Sequence, residues 1–106
     1  MNHLILYTRE RICGDQEAVR IALKDLGLTA DEINISREPD AAQSLMDLIG
    51  CLAVPTLVVA DEHNLPIEPL TPLPPYASVR NVDRGALISE PSREGLQQFL
   101  RKHGWL

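Results

Sequence analysis

Apolar residues along the chain fall into three helical stripes and four short runs. Residues 3-HLILYT-8 are an apolar run of strand length, directly followed by a helical pattern, which predicts a buried first strand in a β–α–β unit. From Gln16 the apolar positions Val19, Ala22, Leu23 and Leu26 recur at helical spacing. Glu17, Arg20 and Lys24 take the wet face, and Gly27 is placed to end the helix. The stretch 31-DEINIS-36 alternates, putting Ile33 and Ile35 on one face of an edge strand. Pro39 suits the first turn of a second helix, where its missing N–H costs nothing. That helix turns Ala42, Leu45, Met46 and Ile49 inward and closes at Gly50.

The run 51-CLAVPTLVVA-60 predicts another buried strand, with Val54-Pro55-Thr56 near its start. Residues 61 to 84 show no helical or alternating pattern and carry five prolines between Pro66 and Pro75. A short strand, 86-ALIS-89, precedes a last helix with Ser92 as N-cap and Leu96, Phe99 and Leu100 as its apolar stripe. Arg101, Lys102 and His103 complement the dipole at its C-terminus, and Gly104 stops it. The predicted order is βαβαββα, an α/β fold with helices on both faces of one mixed four-stranded sheet. The crossover makes the first two strands parallel, and the last two strands should run antiparallel.

At 106 residues the chain has the length of a single domain. A net charge of −5 with no basic cluster argues against nucleic acid or an anionic membrane as a partner. The first apolar run is too short for a signal peptide or a spanning helix. Two cysteines, Cys13 and Cys51, do not make a disulfide framework, and a cytoplasmic setting follows from that usage. His3, His63 and His103 lie apart from each other and from both cysteines, so no metal site is expected.

The chemistry-bearing residue is Cys13, which opens the first helix after a strand. Unpaired N–H groups at a helix start favour thiolate over thiol, and Arg9 and Arg11 add positive charge nearby. Asp15 and Glu17 act in the opposite sense, as like charges, and also suit the first turn as plain dipole partners. Over most of its length the chain resembles the glutaredoxins of the thioredoxin-fold superfamily. The resemblance rests on 4-LILYT-8, Cys13 before 16-QEAVRIALKDLGL-28, 33-INIS-36, the helix ending at Gly50, and 53-AVPT-56. It leaves out residues 61 to 84, which stand as a proline-rich insertion in one glutaredoxin-like domain.

The resemblance implies a three-layer thioredoxin-like fold, Cys13 as nucleophile, and a cis Val54–Pro55 loop whose backbone pairs with glutathione or an extended peptide. It also implies no bound cofactor, with glutathione as co-substrate and a disulfide-containing protein as the other partner. Departures accompany it. Two-thiol members read Cys-Pro-Tyr-Cys, and Gln16 stands where the second thiol would be. Single-thiol members read Cys-Gly-Phe-Ser and tend to share an iron–sulfur cluster; this chain keeps Cys13-Gly14 of that motif. The loop after Thr8 is one residue longer than the family's, making Arg9 the nearest match to its glutathione-binding lysine and Arg11 the second. Glu90-Pro91-Ser92 replaces the Gly-Gly pair and aspartate that hold the γ-glutamyl group.

These features support single-thiol disulfide exchange, with a redox-inactive protein-binding module and cluster binding as the alternatives. Cys51 is either a resolving thiol or a small buried hydrophobe. Within 67–84, Ile67, Leu70, Leu73, Tyr76, Val79 and Val82 recur every third residue, the period of a polyproline II helix. Residues 65–76 therefore either dock to a partner's aromatic groove or turn Leu70, Leu73 and Tyr76 onto the domain itself.

Overall fold

In the computed structural model, residues 1–11 and 13–106 are described. The elements are β1 (His3–Thr8), α1 (Gly14–Asp25), β2 (Asp31–Asn34), α2 (Pro39–Ile49), β3 (Thr56–Ala60), β4 (Leu87–Ser89) and α3 (Arg93–Lys102). The sheet order is β2-β1-β3-β4. β1 runs parallel to β2, and β3 is antiparallel to both β1 and β4. This is the mixed four-stranded sheet, flanked by three helices, that the hydrophobic pattern predicts.

Period-two alternation in the central strands sorts the core into two layers. Leu4, Leu6, Leu57, Val59 and Ile88 pack with Val19, Leu23, Leu96, Phe99 and Leu100, so α1 and α3 cover one face. Ile5, Tyr7, Val58 and Leu87 meet Leu45 on the other face, under α2. β1 and β3 are buried on both sides, which is why their sequences read as continuous apolar runs.

Three strands are shorter than the pattern predicts, β4 by the one residue Ala86. β2 ends at Asn34 rather than Ser36, because the Asn34 side chain accepts the Ser36 N–H and its carbonyl accepts from Arg37 and Glu38. Those bonds turn the chain toward α2. β3 begins at Thr56 rather than Cys51. Pro55 has no N–H to give a ladder, and the Thr56 hydroxyl instead donates to the Ala53 carbonyl at 2.7 Å, closing a turn. Cys51 therefore lies in the connection between α2 and β3, outside the sheet. The Val54–Pro55 peptide bond is cis.

Each helix ends as its sequence suggests. Gly50 takes the left-handed conformation at φ +75°, and its N–H returns to the Met46 carbonyl. At the start of α3 the Ser92 hydroxyl accepts the Gly95 N–H at 3.0 Å.

The insertion packs on its own domain. Asp61 accepts N–H bonds from His63 and Leu65, turning the chain back so that Ile67 donates to the Val59 carbonyl. Ile67 and Leu70 lie against the core, Leu70 touching both layers. Residues 80–84 then run beside β4: Asn81 donates to the Ser89 carbonyl and Arg84 to the Leu87 carbonyl. That arrangement covers an edge that would otherwise present unpaired backbone groups.

Tyr76 departs from the three-residue period. It is fully exposed, at 107 %. The Ala77 N–H bonds the Pro74 carbonyl, and Tyr76 sits at φ +63° in that turn, far from the negative φ of polyproline II. The turn points its ring into solvent. Leu70→Ser should accordingly destabilise the fold by about 1–3 kcal/mol and lower the melting temperature by several degrees. Tyr76→Ser should leave the melting temperature unchanged. Coincident melting of Leu70→Ser and wild type, followed by circular dichroism, would remove the packing account of the insertion.

Candidate functional site

The register of β1 on β3 pairs Tyr7 with Thr56, and that of β3 on β4 pairs Thr56 with Ser89. The chain leaving β1 toward Cys13, the turn reaching β3 through Val54 and Pro55, and Glu90 after β4 therefore share one end of the sheet. The Glu90 N–H donates to the Pro55 carbonyl at 2.7 Å, joining two of these segments directly.

Cys13 is the N-cap residue of α1, with extended backbone, and its carbonyl accepts the Glu17 N–H. Its side chain is half-buried. Asp15 and Glu17 occupy the first turn of the helix, where the dipole favours them.

Gln16 has a role that the sequence did not disclose. It is buried, at 2 % exposure, and its carboxamide grips the Arg9 backbone in both directions. The Arg9 N–H donates to Gln16 Oε1 at 2.9 Å, and Gln16 Nε2 donates to the Arg9 carbonyl at 3.1 Å. A side chain that reads as the replacement of a thiol is a clamp on the loop carrying Cys13. An amide needing both a donor and an acceptor inside a buried site was the available signal.

The same loop is tied at its next residue. The Glu10 N–H donates to Ser36 Oγ, and its carboxylate accepts from Arg37 and Asn34, bonds that hold the Glu10 carboxyl below the usual carboxylate range. On the helix, Arg20 forms a fork on Glu32 with two 2.6 Å bonds and also pairs with Glu17, pinning α1 to β2. That guanidinium lowers the Glu32 carboxyl.

A second residue missed from sequence is Arg80, which the insertion brings to Asp15. Nη1 is 2.7 Å from Asp15 Oδ2 and 3.4 Å from Glu90 Oε1. The hydrogen bond from Arg80 holds the Asp15 carboxyl below its ordinary range. Sequence gave no pointer to this pair, which is separated by 65 positions.

The residues singled out from sequence are thus placed as follows. Arg9 and Arg11 are exposed on the loop before Cys13, while Val54 and Pro55 are buried at the adjoining turn. Cys51 is half-buried, as Cys13 is, so burial does not separate the two thiols. The reading of Cys51 as a small buried hydrophobe is corrected to a half-buried one, because it lies in a connection rather than in the sheet. Both cysteines are free. Among the described residues, no three His, Cys, Asp or Glu side chains converge as metal ligands. Among the same residues, no helix is long and apolar enough to cross a membrane.

The sequence model of the glutaredoxin family matches residues 4–64, β1 through the turn after β3. The chain belongs to the glutaredoxin family. No curated protein and no solved structure gives a significant match. The matched part of this glutaredoxin-family protein runs four residues into the insertion, and β4, beyond it, is placed by its register on β3.

Two N–H groups at the start of α3 are satisfied from within. Beside α3, the Ser92 N–H is taken by Asn81 Oδ1 at 2.8 Å and the Gly95 N–H by Ser92 Oγ. A Cβ on Gly95 would overlap Asn81 Oδ1, so glycine is what permits this close approach.

Truncating the clamp tests its part in the site. Gln16→Ala leaves a backbone donor and acceptor of Arg9 unpaired and should cost about 1–3 kcal/mol in urea unfolding. Gln98→Ala, at an exposed helical position, should be near neutral. Equal midpoints for the two variants would show that the carboxamide does not hold the loop.

Proposed function

We propose that this glutaredoxin-family protein exchanges disulfides through Cys13 alone. The Cys13 thiolate attacks one sulfur of a substrate disulfide, forming a Cys13–substrate mixed disulfide and expelling the other sulfur as a thiolate. An external thiol, glutathione or another, then loses its proton and attacks the substrate sulfur of the mixed disulfide. It becomes disulfide-bonded to the substrate, and the Cys13 thiolate returns. So far one external thiol has replaced one substrate thiol. A second external thiol then attacks the external sulfur of that disulfide and releases the remaining substrate thiolate. The two external thiols, now joined as a disulfide, have supplied the two electrons.

The observation that carries this reading is the placement of Cys13 at the start of α1, with Gln16 committed to the Arg9 backbone. A carboxamide so engaged has no sulfur to resolve a mixed disulfide, and resolution falls to a thiol from outside. Val54 supplies backbone for an incoming extended chain: among the described residues, neither its N–H nor its C=O takes part in a backbone hydrogen bond. Arg9 and Arg11 are exposed beside the thiol and suit the carboxylates of glutathione or an acidic peptide.

The occupied N–H groups beside α3 favour a second reading, a partner-binding module with an idle thiol, because they remove part of the expected glutathione site. Mixed-disulfide reduction separates the two. With a glutathionylated peptide as substrate and excess glutathione, Cys13→Ser should lose at least about a hundredfold in rate, as removal of a covalent nucleophile does. Cys51→Ser should keep most of the activity. Wild-type turnover no faster than the uncatalysed exchange, with glutathione and with a dithiol alike, would leave the module as the better account.

A further inference from the structure

The insertion reaches the thiol site with one side chain. Arg80 forms a fork on Asp15, Nη1 to Oδ2 at 2.7 Å and Nη2 to Oδ1 at 3.3 Å, and Nη1 also lies 3.4 Å from Glu90 Oε1. Its backbone is fixed independently of that ion pair. Arg80 bridges Ser89 of β4, and the next residue, Asn81, donates to the Ser89 carbonyl and accepts from the Ser92 N–H. The guanidinium is thus delivered by a segment held to β4 and α3, and its planar fork matches the Asp15 carboxylate.

The charged side chains nearest Cys13 along the converging segments are Arg9, Glu10 and Arg11 on the loop before it, Asp15 and Glu17 on α1, Glu90 after β4, and Arg80 on the insertion. Glu10 is already engaged by Arg37 and Asn34. All three arginines are exposed, and Arg80 differs in that its backbone is held beside Ser89 and its guanidinium is paired with Asp15. Without Arg80, Asp15 and Glu90 would be two uncompensated carboxylates beside a group that must itself become an anion, and like charge disfavours that. Asp15, the carboxylate that Arg80 holds, stands two residues after Cys13 in the first turn of α1.

We propose that Arg80 is a positioning residue for the thiol chemistry, which neutralises Asp15 and Glu90 at the end of the sheet where Cys13 stands. The proline-rich insertion is then part of the site as well as a cover for the β4 edge. This rests on the reading of Cys13 as the reactive group, but it concerns the state of the sulfur and not turnover. Arg80 is partly exposed, so its influence is screened by salt.

The test is the rate of Cys13 alkylation by iodoacetamide, measured by mass spectrometry in a Cys51→Ser background from about pH 5 to pH 10. Alkylation follows the thiolate fraction. Arg80→Ala should move the midpoint upward by about half a pH unit to one unit at low salt, and by less at high salt. Arg80→Lys, which keeps the charge, should restore most of the wild-type profile. Adding Asp15→Asn to Arg80→Ala should recover part of it. Should Arg80→Ala fail to fold, Arg80→Gln decides, with the same upward displacement expected. Coincident profiles for wild type and the neutral variant, or equal displacement by the neutral variant and lysine, would each overturn the proposal. An Arg80-dependent profile in a protein without exchange activity would uphold it while removing the catalytic reading. An active protein whose profile ignores Arg80 would do the reverse.

Discussion

The antiparallel register that sets Tyr7 opposite Thr56 and Thr56 opposite Ser89 is the constraint on which the rest depends. A one-residue slip would turn every core side chain of β3 to the wrong face, and two buried faces make such a slip expensive. Because that register is fixed by packing, the ends of three strands are fixed too. The loop to Cys13, the Val54–Pro55 turn and Glu90 arrive at one end of the sheet without needing any affinity for one another. The local bonds among them, such as the Glu90 N–H to the Pro55 carbonyl, refine a position that the core has already imposed.

Much of that end is satisfied internally. The Arg9 backbone is bound by Gln16, the Glu10 carboxylate by Arg37 and Asn34, and the N–H groups beside α3 by Asn81 and Ser92. Groups that could have met a ligand instead hold the loop and helix ends still. This makes Gln16 more than a vacancy in a two-thiol motif. A cysteine there would return a sulfur but could not reproduce a carboxamide that donates and accepts at once. Position 16 thus couples two properties, the number of thiols and the rigidity of the loop, which a change of sequence cannot vary independently.

The elements of the fold were legible because each strand or helix carries its own periodicity and stop signals. Pro39 at the start of α2, Gly50 at its end and Ser92 at the N-cap of α3 all act within a few residues of where they stand. What escaped the sequence depends on contacts between distant segments. Arg80 and Asp15 meet only because residues 80–84 run beside β4, an arrangement no local pattern encodes. Gln16 was read by what it is not, since the motif drew attention to the missing sulfur. Tyr76 misled for the opposite reason. It kept the three-residue apolar period, but the Pro74–Ala77 turn changes the backbone conformation on which that period has meaning. Cys51 lay in an apolar run that reads as strand, while the Thr56–Ala53 turn excludes the first half of that run from the sheet.

The insertion is best understood from the weakness of β4. A three-residue edge strand with one paired neighbour would offer free backbone groups to other chains. Residues 80–84 occupy that edge, while Asp83 reaches Lys102 at 2.7 Å and the Gly85 carbonyl meets His103 at 2.7 Å, tying the cover to the last turn of α3. Proline suits the approach to such a cover, because it fixes φ and brings no donor that must find a partner. Leu70, wedged against both core layers, anchors the segment partway along. Once edge, helix and core fix the path of residues 80–84, the position of Arg80 next to Asp15 follows with little further choice. Protection of the sheet edge and the charge balance around Cys13 are therefore two consequences of the same docking.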